Sequence, residues 1–290
     1  MTQHPNPPPR AEPGCPDEVS VREPSPGSGR LRLWVWELWG FVSKEAQACL
    51  FAGLFFAAVF CVPRAGLWSL PRYDLLLLIA LLIQAGMVIS GRESRDELKA
   101  IGLFHVLGFA LEVFKTSAAV KSWSYPDFAY TKLLGVPLFA GFMYAAVGSY
   151  IIQAWRLLQL RVLHHPPYWM AGLMALAIYL NFFTQHFWVD VRWYLAAGAL
   201  GLYARSQILF RPQQRELRMP LWLGLVLVAF FIWLAENLGT FFGLWSYPHQ
   251  LGAWARVHMS KWSSWSLLVL ISFTLVVQLK HIRQRVQVPD

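Results

Sequence analysis

Eight apolar runs punctuate the chain, near 46–62, 74–90, 101–120, 133–155, 168–188, 192–210, 220–243 and 262–279, each followed by a short connection rich in polar residues or proline. A helix rising about 1.5 Å per residue needs about 20 residues to cross a hydrocarbon core of roughly 30 Å, so these runs predict membrane-spanning helices. The expected fold is all-α, a polytopic membrane helix bundle of about eight transmembrane helices. The first two runs are short and the sixth carries Arg205, which leaves seven spans as the alternative.

Before the first run, residues 1–30 hold Pro5, Pro7, Pro8, Pro9, Pro13, Pro16, Pro24 and Pro26 among Ser, Gly and Glu. Such a composition cannot bury enough apolar area to fold, and a disordered cytoplasmic tail is expected. It lacks the basic start, short apolar core and small-residue cleavage site of a secretory signal. Residues 31–45, with Trp34, Trp36 and Trp39, predict an interfacial amphipathic segment, or else the start of a tilted first span. Residues 46–155 then form a first transmembrane half of four spans and residues 168–279 a second, with 280–290 a basic cytoplasmic carboxyl-terminal tail.

The division into halves rests on an internal echo. Glu112-Val113-Phe114-Lys115-Thr116 is followed by Trp123-Ser124-Tyr125-Pro126, and Glu236-Asn237-Leu238-Gly239-Thr240 by Trp245-Ser246-Tyr247-Pro248. Spans three and four thus correspond to spans seven and eight. An offset of an even number of helices gives both halves one orientation, a parallel 4+4 repeat about an axis along the membrane normal. The match has a flaw: eleven positions separate Glu112 from Trp123, but nine separate Glu236 from Trp245. In a continuous helix two residues turn a landmark by about 200°, so the extra residues are expected beyond the helix end, near Ala118 to Ser122.

Composition agrees with a membrane class. Hydrophobic residues make up 56% of the chain and charged ones 14%, which leaves too little polar surface for a soluble globule. The formal charge of +9 does not point to nucleic acid, because the basic residues lie in short clusters between apolar runs. They are about twice as frequent in the connections on the amino-terminal side, which places both termini in the cytoplasm. Cys15, Cys49 and Cys61 form no disulfide framework. No His-x-x-x-His or paired-Cys motif occurs, so neither a metal nor a cofactor is expected.

A carboxylate inside an apolar run is costly, which makes Glu112 and Glu236 the candidate catalytic residues. Desolvation favours the neutral form of a carboxyl, so either can act as general acid or carry protons in a transport cycle. Lys115, three residues beyond Glu112, is placed to pair with it and keep it ionised, while Asn237 neighbours Glu236; one carboxyl would then be base and the other acid. The alternative is a structural Glu112–Lys115 ion pair with Glu236 bonded to a neighbouring helix. His105, on the face of Glu112 two turns away, is a candidate proton relay or an ordinary interhelical bond. The fifth run ends in Asn181, Thr184, Gln185, His186 and Asp190 before Arg192, either a polar cavity lining or a wet helix end. The candidate substrate-binding set is His105, Lys115, Thr116, Trp123, Tyr125, His186, Asn237, Thr240, Trp245 and Tyr247. Tyr before Pro favours extended backbone, so each tetrad should end its helix near the membrane interface.

The stretch from Glu97 to Gln278, with both glutamate segments, both tetrads and Gly135-Val136-Pro137-Leu138-Phe139, resembles the YoaT-like family of uncharacterised bacterial integral membrane proteins. The resemblance implies a multi-pass inner-membrane protein and supplies no activity. A shorter set, His105, Glu112, Trp123-Ser124-Tyr125 and Gly135-Val136-Pro137, is similar to the membrane carotenoid hydratases, in which a buried acid acts on a polyene. The leading function that follows from the glutamates is an acid–base enzyme on an isoprenoid or other membrane lipid, and the alternative is a transporter of a small solute or cation. A non-catalytic membrane protein is the third.

Overall fold

The computed structural model describes residues 28–287; residues 1–27 and 288–290, and with them most of the proline-rich segment, lie outside the described residues. Among the described residues nine α-helices run in the order α1 (Ser28–Ala48), α2 (Leu50–Cys61), α3 (Arg72–Ile89), α4 (Arg95–Thr116), α5 (Ala140–Leu157), α6 (Tyr168–Thr184), α7 (Arg192–Leu202), α8 (Leu221–Phe241) and α9 (Ser260–Gln287). Local chemistry sets several of these ends. Ser94 and Glu97 close a capping box at the start of α4, where Ser94 Oγ accepts from the Glu97 N–H (3.2 Å) and the Glu97 carboxylate accepts from the Ser94 N–H (2.7 Å). Pro71, Pro167 and Pro220 stand in extended backbone immediately before α3, α6 and α8, where a fixed φ starts a helix without loss of an intrahelical bond.

The helices α3, α8 and the Ser260–His281 part of α9 are each long and apolar enough to cross a membrane. The pair α1 and α2, bent by 66° at Cys49, makes a fourth if counted as one span. All eight expected runs contain helix, but α2 and α7 have only 12 and 11 residues, about 18 and 16 Å of rise. The sixth run departs most from expectation. Its helix stops at Leu202, and Gln207–Phe210 form a strand, β4, paired with both β3 (Arg161–Leu163) and β5 (Leu217–Pro220). A continuing helix would have carried Arg205 among apolar neighbours; instead the chain turns at Tyr203, whose hydroxyl lies 3.2 Å from Thr274 Oγ1. The fourth run likewise begins as a hairpin, β1 (Lys132–Leu133) and β2 (Val136–Pro137), joined by Leu134 and Gly135 at φ of 52° and 83°. Two positive φ angles are what a two-residue type I′ turn requires. The fold is mostly helical with two small sheets, rather than all-α.

The connections gather at two ends. The α5–α6 and α7–α8 connections build the three-stranded sheet, while the α4–α5 and α8–α9 connections meet at the opposite end, where Ser124 and Ser246 exchange two backbone hydrogen bonds of 3.0 Å. The helix α1 docks on the sheet end through Glu37, only 1% exposed, whose carboxylate accepts from the N–H groups of Gln213 (3.1 Å), Gln214 (3.2 Å) and Arg215 (3.1 Å). Its outer face leaves Leu31, Trp34, Val35, Leu38 and Trp39 exposed.

The helices α4 and α5 pack closely because glycines face rings. A Cβ at Gly108 would sit 2.2 Å from Tyr144 Cγ, and one at Gly148 2.3 Å from Phe104 Cδ2. Gly108→Ala is therefore expected to push Tyr144 aside and destabilise the fold by about 1–3 kcal/mol. Chemical unfolding in detergent measures it, and a neutral result would mean that the ring yields freely.

Candidate functional site

Each matching glutamate is nearly enclosed, Glu112 at 3% exposure and Glu236 at 4%. Glu112 Oε2 accepts from the Trp123 indole N–H (2.7 Å) and the Tyr125 hydroxyl (2.8 Å), while its Oε1 accepts from the Tyr144 hydroxyl (2.8 Å). Glu236 Oε1 accepts from the Tyr247 hydroxyl, and its Oε2 from the Trp265 indole N–H (2.8 Å). In both cases the glutamate belongs to the first helix of an antiparallel pair, α4 or α8, and its donors come from the tetrad and from the helix after it, α5 or α9.

The two carboxyls share one aromatic shell. The Trp123 and Tyr247 rings meet at 6.0 Å and the Tyr144 and Trp265 rings at 6.4 Å, so each contact joins a donor of Glu112 to a donor of Glu236. The bridge between Ser124 and Ser246 holds the tetrads in this register. The spacing flaw resolves in the connection: α4 ends at Thr116, residues 117–122 wind through successive backbone turns, and α8 ends at Phe241, closer to its tetrad. Burial, with the neighbouring carboxylates next, drives the Tyr125 and Tyr247 hydroxyls well above the usual phenol range, so both remain proton donors at neutral pH.

Lys115 turns away from Glu112. Its Nζ lies 2.6 Å from His186 Nε2 instead, which brings two of the candidate residues together without an ion pair to the glutamate. Behind them Arg192 binds Ser264 Oγ (3.0 Å), Gln185 Oε1 (2.9 Å) and Asp190 Oδ2 (2.9 Å). Burial opposes the Asp190 carboxylate, but the Arg192 backbone N–H, the Asn181 amide and the Arg192 guanidinium outweigh it and hold its pKa below the usual range. Lys261, at the start of α9, places Nζ over the rings of Trp123 (5.1 Å) and Tyr247 (4.7 Å), a cation–π roof over the shell.

The remaining candidates are structural neighbours. Thr116 Oγ1 donates to the Glu112 backbone carbonyl (2.9 Å). Asn237 ties the α8–α9 connection down, donating to the Trp233 carbonyl (2.8 Å) and accepting from the Val257 N–H (2.9 Å). Thr240 accepts from the Trp254 indole at 3.2 Å. Trp245 packs against Gly239, where an added Cβ would meet its ring at 2.5 Å, and the indole bonded to Glu236 is that of Trp265. His105 stacks with Phe109 and meets Phe142 edge-on, and its buried Nδ1 has no hydrogen-bond partner, so no chain of bonds leads from it to Glu112. Sequence reasoning missed Tyr144, Lys261 and Trp265. The available signal was the aromatic donor placed early in the helix after each tetrad. Among the described residues no group of three or more His, Cys, Asp or Glu side chains is placed to hold a metal ion.

The family model for a protein of unknown function, DUF817, matches residues 37–273. The "Uncharacterized protein YoaT" of Bacillus subtilis (strain 168) is 47% identical over 242 residues, covering 83% of this chain and 91% of its own. No solved structure matches.

Proposed function

The chain belongs to the DUF817 family, and on that footing we propose a multi-pass protein of the bacterial inner membrane in which Glu112 and Glu236 exchange protons and couple them to movement of a small solute. The observation that carries this reading is the shared pattern of bonds. On each carboxyl one oxygen accepts from an indole N–H, which can only donate, and the other faces a tyrosine hydroxyl, which can donate or accept. A carboxyl held this way takes up or gives up a proton while every heavy atom stays in place.

Eight spans in two parallel halves are supported by the alternation of the connections between the two ends and by the equivalent surroundings of the glutamates. Arg156, Arg161, Arg211, Arg215 and Arg218 cluster toward the sheet end, which favours that end, and both termini, as cytoplasmic. An acid–base enzyme acting on an isoprenoid needs a lipid-open groove beside a glutamate. The grooves of about 390 Å³, beside Trp39 and Leu50, and about 500 Å³, between α6 and α7, are lined by neither Glu112 nor Glu236.

Infrared difference spectroscopy across a pH titration tests the proposal. Among the carboxylic C=O bands that grow on acidification in the wild type, one component is expected to be lost in Glu112→Gln and another in Glu236→Gln. A band indifferent to both substitutions would sink the reading.

A further inference from the structure

The end of the bundle remote from the sheet carries a set of cations that the glutamates do not use up. Lys115 from α4, Arg192 from α7 and Lys261 from α9 lie within electrostatic reach of one another, with His186 and Asp190 between them. Asp190 is held by Arg192. Lys261 Nζ makes no hydrogen bond or ion pair among the described residues and rests only on the two rings. Lys115 Nζ has His186 as its hydrogen-bond partner, and Arg192 Nε is buried with none. A buried donor left unmade is costly, so Arg192 Nε, within electrostatic reach of the unbonded Lys261 Nζ, points to a ligand that accepts from both.

We propose that Lys115, His186, Arg192 and Lys261 form a binding site for an oxyanion of the phosphate class. A tetrahedral oxyanion offers acceptors to two ammonium groups and a guanidinium edge together, and charge-assisted bonds of this kind are the strong ones. The charge balance agrees. Arg192 is matched by Asp190, and of the three basic side chains Lys261 is the one within electrostatic reach of Glu112 and Glu236. Protonation of either glutamate leaves Lys261 with less opposing charge, which an anion supplies; this step rests on the proton-exchanging reading, whereas the unfilled donors do not. Trp188, Val189 and Trp193 are exposed in the adjoining α6–α7 segment, so the phosphate can belong to a free ion or to a lipid headgroup.

The full chain in neutral detergent, titrated calorimetrically with inorganic phosphate, tests the first source. Native mass spectrometry after release from phosphatidylglycerol or phosphatidylcholine nanodiscs tests the second. Saturable phosphate binding, weakened at least tenfold by Lys261→Met and largely kept by Lys261→Arg, establishes a free-anion site. Retention of phosphatidylglycerol but not phosphatidylcholine, lost in Lys261→Met, establishes a headgroup site. Lys115→Met serves the same comparison where Lys261→Met does not fold. Absence of binding to either probe, or binding indifferent to the substitutions, overturns the proposal. A carboxyl band that still titrates in the infrared would then show that the anion site alone has failed.

Discussion

Glu112→Ala is expected to cost about 3–5 kcal/mol of stability, because it strands three enclosed donors at once. The Trp123 indole N–H and the Tyr125 and Tyr144 hydroxyls all converge on this carboxyl. Glu112→Gln keeps one acceptor oxygen of similar size and is expected to cost roughly half as much. Tyr144→Phe removes one bond and leaves Glu112 Oε2 satisfied, for about 1 kcal/mol. Chemical unfolding of the three variants in one detergent gives the order. Should Glu112→Ala cost no more than Tyr144→Phe, the donors find other partners and the shell is not a cooperative unit.

Glu37→Ala is the second large effect, expected at about 2–4 kcal/mol, and it acts at the opposite end of the molecule. Its carboxylate gathers three consecutive backbone N–H groups of the β4–β5 connection, groups that a turn of this shape cannot satisfy within itself. Loss of the carboxylate frees α1 from the sheet and leaves Lys44 Nζ on the Arg211 carbonyl (2.9 Å) as a remaining polar tie. Hydrogen–deuterium exchange at residues 213–215 is expected to accelerate by at least tenfold, with the amides of α8 unchanged. Uniform acceleration across both would place the damage in the global fold instead of the docking contact.

Much of this geometry was legible in the chain, and the reason is the short range of the signals. Glutamates in apolar runs, the duplicated tetrads and the two-residue offset could each be read from neighbours in sequence, and the offset proved to lie in the α4–α5 connection. Partner choice was not legible where it depends on residues far apart. Lys115 is three positions from Glu112, yet it bonds His186, 71 positions away, since side-chain direction at a helix end is set by what packs against it. Trp265, 29 positions from Glu236, donates the indole bond to it, while the Trp245 ring packs against Gly239. The three-stranded sheet escaped notice because strands of three or four residues carry no readable alternation. Glu93, in the α3–α4 connection, is buried and accepts from Gln84 and Ser149, the latter 56 positions away, a partnership no local pattern marks.

The unequal sequence spans of the two carboxyl shells set an order of assembly during synthesis. Every donor to Glu112 lies at or before Tyr144, so its shell can close once α4 and α5 are made. Glu236 waits for Trp265 on α9. The nascent amino-terminal half thus presents a finished template, with the Ser124 backbone open until Ser246 emerges to pair with it. A chain that ends before α9 has one carboxyl satisfied and the other bare of its indole.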